Sequence, residues 1–186
     1  MKVNAFINRS INIMVNPKTE WEHIANENFP IRSITLNFVL PYLIMDFISS
    51  MLGCVLFSSK NMIYPLKFAF VQSVTSFLVY IIILYITPVF IQLIGISFNI
   101  QINRENAFKL IAYSFTPVFI IGIIVGLIPA LGVIDIVGLY AFYIMWHGYD
   151  MMLNITDKKT FFYIISVLII IAEYILLGAM FIQLFI

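Results

Sequence analysis

The chain has 186 residues, of which 62% are hydrophobic and only 10% charged, whereas soluble domains run at about 45–50% and about 25%. A net charge of +1 gives no electrostatic footing for nucleic acid, and a single cysteine, Cys54, excludes an internal disulfide and a thiolate metal site. At a mean hydropathy of +1.04 there is too little polar surface to cover this apolar content in water, and lipid is the solvent that fits.

Residues 1–15 alternate at helical spacing. Val3, Phe6, Ile7, Ile11 and Met14 fall on one face, with Asn8, Arg9 and Asn12 on the other. This pattern predicts an amphipathic helix lying in the membrane interface, too polar to cross it. A second short helix is predicted from Asn16, with Asn16 as cap, Pro17 at the first helical position, and Thr19 and Glu22 as a capping box. Trp21 is expected at the headgroup level as an interface anchor, and Pro30 ends the helix. The first 30 residues hold no continuous apolar core of a cleavable signal peptide, so insertion is left to the first span. Residues 1–31 thus form an N-terminal interfacial segment, and 32–186 a transmembrane domain.

Five apolar segments follow, at about 33–57, 66–96, 107–130, 133–153 and 160–186. Each far exceeds the roughly 9–11 residues of a membrane strand and none alternates with period two. The fold class is therefore all-α: a polytopic bundle of five transmembrane helices plus the N-terminal amphipathic helix. Thr87-Pro88 predicts a kink or tilt in the second span. Pro129-Ala-Leu-Gly132 predicts a tight turn that folds spans three and four into an antiparallel hairpin. With the N-terminus inside, Lys2, Arg9, Lys18, Arg32, Arg104, Lys109, Lys158 and Lys159 lie on the inner side, and only Lys60 and Lys67 on the outer. That asymmetry favours a cell-membrane protein with a cytoplasmic N-terminus and its C-terminus on the outer side.

Two carboxylates, Asp46 and Glu173, fall near the middle of their spans, where an ionised acid is costly. No Lys or Arg lies as deep, so each acid is expected to be protonated or heavily hydrogen-bonded. Tyr42, Asp46, Ser49, Ser50 and Gly53 share one face of the first span. Gln72, Ser76 and Tyr80 form a stripe on the second, Tyr140, Tyr143, His147 and Asp150 one on the fourth, and Ser166 precedes Glu173 on the fifth. These residues describe a polar core, which serves either a proton or cation path or interhelical hydrogen bonding. His147 and Asp150, at i and i+3, supply too few ligands for a metal. Gly122 and Gly126 form a GxxxG that permits close helix approach, within the chain or between chains.

Motifs of metalloprotease, serine-hydrolase or P-loop type are missing, and Tyr149-Asp150 lacks the Gly-x-Gly-Asp partner of an intramembrane aspartyl protease. No catalytic residue and no cofactor is assigned. The leading expectation is a non-enzymatic membrane scaffold or adaptor whose partners are lipid and either a second copy or another membrane protein. The alternative is a small transporter or channel component binding a proton or cation at Asp46 and Glu173. A lipid-handling enzyme using His147 and Asp150 is the weakest of the three.

Three stretches together resemble the Yip1 domain family in its prokaryotic branch. Asn16-Pro17-Lys18-Thr19-Glu20-Trp21-Glu22-His23-Ile24 is similar to the family's Pro-x-x-x-Trp-x-x-Ile approach to the membrane. Phe108-Lys109-Leu110-Ile111-Ala112-Tyr113-Ser114-Phe115-Thr116-Pro117 resembles its Ala-Tyr-x-x-x-Pro start of the third span. Gly138-Leu139-Tyr140-Ala141-Phe142-Tyr143, with His147-Gly148 after it, resembles the Gly-x-Tyr and later Gly of the fourth. The resemblance implies five spans, an inside N-terminus and a C-terminus on the far side, and it brings no catalytic residues. Eukaryotic relatives act in vesicle trafficking with Rab GTPases. The Asp-Leu-Tyr-Gly-Pro motif and long cytosolic region typical of them are missing here, so the resemblance implies no Rab partner.

Overall fold

The computed structural model describes residues 3–57, 63–155 and 158–185. Among these, five helical stretches are long and apolar enough to cross a membrane: Ile31–Phe57, Leu66–Ser97, Arg104–Leu127, Pro129–Leu153 and Lys159–Met180. The protein is an all-helical, multi-span membrane bundle. Lys2 and Lys60, both used in the charge count above, lie outside the described residues.

Two short helices, α1 (Val3–Val15) and α2 (Pro17–Ala25), precede the spans. Asn16 occupies the N-cap position of α2, but its side chain makes no capping hydrogen bond. The Thr19 hydroxyl instead donates to the Asn16 carbonyl at 3.1 Å, so the predicted capping box is replaced by a bond one turn back.

The first span comprises α3 (Ile31–Ile34), a π-helical turn (Thr35–Val39) and α4 (Leu40–Phe57). The widened turn has a local cause. Pro41 has no N–H to donate, and its ring collides with the carbonyl four residues back. The Leu40 N–H, just before it, reaches the Thr35 carbonyl five residues back. The Thr35 hydroxyl occupies the loosened turn, donating to the Ile31 carbonyl and bonding to the Tyr85 hydroxyl at 2.8 Å.

Span two is a single helix, α5 (Ile63–Ser97), which runs through Pro88 without ending. Span three is divided by the residue pattern around Pro117. Helix α6 (Arg104–Ser114) stops, Phe115 turns, and α7 (Thr116–Leu127) restarts with the proline in its first turn. A proline disfavours helical geometry in the residue before it and is welcome at a helix start, so the break falls there.

The predicted tight turn at Pro129–Gly132 is not a turn between α-helices. Pro129 opens a 3₁₀ helix (Pro129–Leu139) that leads straight into α8 (Tyr140–Leu153). The 3₁₀ helix still lies back along α7. Runs beyond about 3–4 residues are uncommon because the hydrogen bonds are poorer. Val133 and Ile136 are 86% and 70% exposed, which places this segment at the periphery, in contact with lipid. Asn154, in the left-handed region at φ 53°, ends α8, and α9 (Lys159–Phe185) forms span five.

Among the described residues α4 packs most extensively against α7, and the seam is made of glycines. A methyl group on Gly53 would stand 2.0 Å from the Gly126 carbonyl oxygen. One on Gly126 would stand 2.6 Å from Ser50 Oγ, and one on Gly122 2.8 Å from Asp46 Oδ1. The GxxxG of the third span is therefore spent inside the chain. Association in lipid has no hydrophobic drive and depends on such close contact. Gly53→Ala forces backbone from backbone and is expected to cost about 3 kcal/mol, the upper end for overpacking. Thermal unfolding in mild detergent checks this against Gly178→Ala, whose added methyl meets nothing within 4 Å and whose midpoint should hold or rise slightly.

Candidate functional site

Two sites emerge: a clamp that binds the N-terminal helices to one end of the bundle, here the α2 end, and a cavity in the opposite half.

At the α2 end, Arg9 of α1 reaches two acids, Glu20 at 2.6 Å and Glu27, and its guanidinium lies 5.7 Å from the centre of the Tyr113 ring. The buried ammonium of Lys109 donates to the Glu27 carbonyl at 2.5 Å. Trp21 is fully buried, and its indole N–H donates to the Ile144 carbonyl at 3.0 Å. The ring fits because position 148 is glycine: a methyl there would lie 2.5 Å from Trp21 Cε2. The tryptophan expected to meet headgroups instead anchors α2 to α8. Its two needs, an apolar wall and one acceptor, are both met by protein.

Helix α1 divides its apolar residues between two surroundings. Phe6 and Ile13 turn inward, while Ile7, Ile11 and Val15 point outward, at 46%, 53% and 67% exposure. The Tyr42 hydroxyl donates to Ser10 Oγ at 2.5 Å, and Tyr140 donates to the Met14 carbonyl at 2.9 Å, satisfying an end carbonyl of α1. Phe6 then packs on Phe38 and Tyr42, with ring centres 5.6 and 4.8 Å away, and Tyr42 stacks on Phe119 at 5.4 Å. These rings make an aromatic floor across the bundle.

One turn beyond that floor the bundle opens into a cavity of about 760 Å³, walled by α4, α5, α7, the 3₁₀ helix, α8 and α9. Its polar lining includes Asp46, Gln72, Ser76, Tyr80 and Asp135. Asp46 is 8% exposed; the Ser49 hydroxyl donates to its backbone carbonyl at 2.8 Å, while its carboxylate accepts no hydrogen bond from the described residues. Asp135, on the 3₁₀ helix, lines the same cavity. Asp135 is missing from the sequence-level candidates because it stands at the start of the fourth apolar segment, where an acid reads as a span end. Only the 3₁₀ helix lying back along α7 brings it opposite Asp46.

The remaining candidates separate. Glu173 does not line the cavity. One of its oxygens accepts from the buried Thr87 hydroxyl at 2.6 Å, beside Pro88, and the other is buried without a partner among the described residues. Tyr42 belongs to the floor. Tyr140, Tyr143 and His147 form a ring ladder on a different side of α8, with Tyr143 centred 5.2 Å from Tyr140 and 4.6 Å from His147. Asp150 pairs with Lys159 at 2.5 Å. Among the described residues, no three His, Cys, Asp or Glu side chains converge as a metal site would need.

The Yip1 domain matches residues 11–180, nearly the whole chain. This protein belongs to the Yip1 domain family. No curated protein and no solved structure matches it. The three stretches that resemble the Yip1 family have visible work in this fold: the tryptophan motif supplies Trp21, the Ala-Tyr-x-x-x-Pro motif supplies Tyr113 and the break at Phe115, and the fourth-span motif supplies Tyr140 and Gly148. All three converge on the clamp.

The clamp makes two predictions. Arg9→Met leaves Glu20 and Glu27 without their cation and should destabilise the protein by about 3–5 kcal/mol, the usual cost of halving a buried ion pair, read from the thermal midpoint. Gly148→Ala should expel Trp21 and free α2, so that trypsin cuts at Lys18 at least about tenfold faster, as expected when local opening becomes cheap.

Proposed function

We propose that this Yip1 family protein is a non-enzymatic scaffold or adaptor of the cell membrane, with a cytoplasmic N-terminus and its C-terminus on the outer side. The supporting observation is the clamped N-terminal unit. Arg9, Trp21 and Lys109 fix α1 and α2 to the bundle, and this holds the stripe Ile7, Ile11 and Val15 outward. A helix so held rests its apolar stripe in one leaflet, while the spans gather a partner or a second copy. The orientation is supported by the cations: among the described residues Arg9, Lys18, Arg32, Arg104, Lys109, Lys158 and Lys159 belong to the α2 end, and Lys67 to the other. Purification from native membranes in mild detergent should return a stoichiometric partner or a defined homo-oligomer, identified by mass spectrometry and measured mass. A lone monomer sinks this reading.

A second reading, a transporter or channel component that binds a proton or cation, is favoured by Asp46 on the cavity wall. In liposomes Asp46→Asn should then abolish flux, whereas Glu173→Gln, off the cavity, should leave it intact. Equal flux in wild type and Asp46→Asn removes the idea.

A further inference from the structure

The geometry points to the cavity as a binding site for a lipophilic organic cation, one positive centre on an apolar body, with Asp46 and Asp135 taking the charge. This is independent of the scaffold reading and shares the cavity and Asp46 with the transport reading.

Three observations converge. The first is size. A cavity of about 760 Å³ falls within the roughly 300–1,000 Å³ of small-molecule sites, and a bare inorganic ion would leave most of it unfilled. The second is charge. Asp46 is more than nine-tenths buried and faces the cavity, and no described residue donates a hydrogen bond to its carboxylate; Ser49 bonds only its backbone carbonyl. Burying such a group costs free energy until something compensates it. Asp135 adds a second acid to the same space, and no Lys, Arg or His lines it. A ligand that answers both carboxylates carries positive charge. An anion or a phospholipid phosphate meets repulsion.

The third is the rim. Phe57, Phe68, Leu139 and Ile175 all line the cavity and yet are 61%, 70%, 60% and 62% exposed. In a bilayer these residues stand in hydrocarbon, so the mouth is apolar apart from the exposed Asp135, and the buried Asp46 sits behind it. A strongly hydrated cation crosses such a rim poorly. A cation whose charge is wrapped in alkyl or aryl groups crosses it readily, then finds Gln72, Ser76 and Tyr80 as polar neighbours of the acids. On the α2 side the aromatic floor closes the space, since Tyr80 meets Phe119 at 5.8 Å and Phe119 stacks on Tyr42.

The ligand's chemistry has two sources: a soluble lipophilic cation, or a membrane amphiphile with an amine head. Tetraphenylphosphonium and octadecylamine represent them, and tetraphenylborate is the shape-matched anion. Binding is measured by equilibrium dialysis or by displacement on the full chain in neutral-lipid nanodiscs. Wild type should bind one or both cations saturably and leave tetraphenylborate unbound. Which cation binds names the source. Asp46→Asn and Asp135→Asn should each weaken binding by at least about tenfold, in line with losing a close charge pair. Ser76→Phe, which keeps both acids but fills the space, should abolish it. If Asp46→Asn fails to fold, Asp135→Asn carries the comparison, because Asp135 is exposed on the peripheral 3₁₀ helix. The proposal is overturned if neither cation binds saturably, if tetraphenylborate binds as well, or if the variants bind like wild type. None of these results bears on whether a protein partner co-purifies.

Discussion

The contact on which this architecture depends is backbone against backbone, where α4 meets α7. In water, apolar faces are driven together whatever their fit. In lipid that drive is lost, and helices stay together through dispersion at short range and through the few hydrogen bonds they share. Gly53, Gly122 and Gly126 let two backbones approach to distances no side chain permits. The consequence reaches well beyond the pair. Asp46 and Ser49 are drawn into the seam, the 3₁₀ helix follows α7 into place, and the space flanking the α4–α7 seam becomes the cavity.

A second constraint acts at the other end. The clamp joins residues far apart in sequence, Arg9 with Tyr113 and Trp21 with Ile144, through groups that lipid would not tolerate singly. Two acids, an arginine and a lysine meet there with few polar atoms unpaired, although one oxygen of Glu27 has no partner among the described residues. The floor of aromatic rings links this clamp to the cavity. Tyr42 bonds to Ser10 of α1 and stands one turn before Asp46 along α4.

The number of spans was readable in the sequence because hydrophobic length is a one-dimensional property, and family membership was readable from three short motifs. What these motifs do was not. Trp21 reads as an interface residue because tryptophan has an apolar body and a polar edge. Nothing local announces that Gly148, more than a hundred residues later, leaves a slot for it. The polar stripes were located on their helices, but which stripes meet depends on how each helix is turned. Thus Asp46, Gln72, Ser76 and Tyr80 share a cavity while His147 and Asp150 lie elsewhere. The break at Phe115 and the π turn before Pro41 are legible afterwards as effects of proline, yet a hydropathy profile sees only an unbroken apolar run. Asp135 shows the limit most clearly: its importance comes from a neighbour across the bundle.

The buried indole also bears on how the chain is made. Translation delivers α1 and α2 before the spans, but the slot for Trp21 is built from Leu110 on α6 and from Ile144 and Gly148 on α8. Four spans must be threaded into the bilayer before that slot exists. Throughout that interval Arg9, Glu20 and Trp21 wait without most of their final neighbours at the membrane surface, where their mixed apolar and charged character is tolerable. Docking of α1 and α2 is thus a late event in biogenesis, and it reports that the fourth span has arrived in the correct rotation.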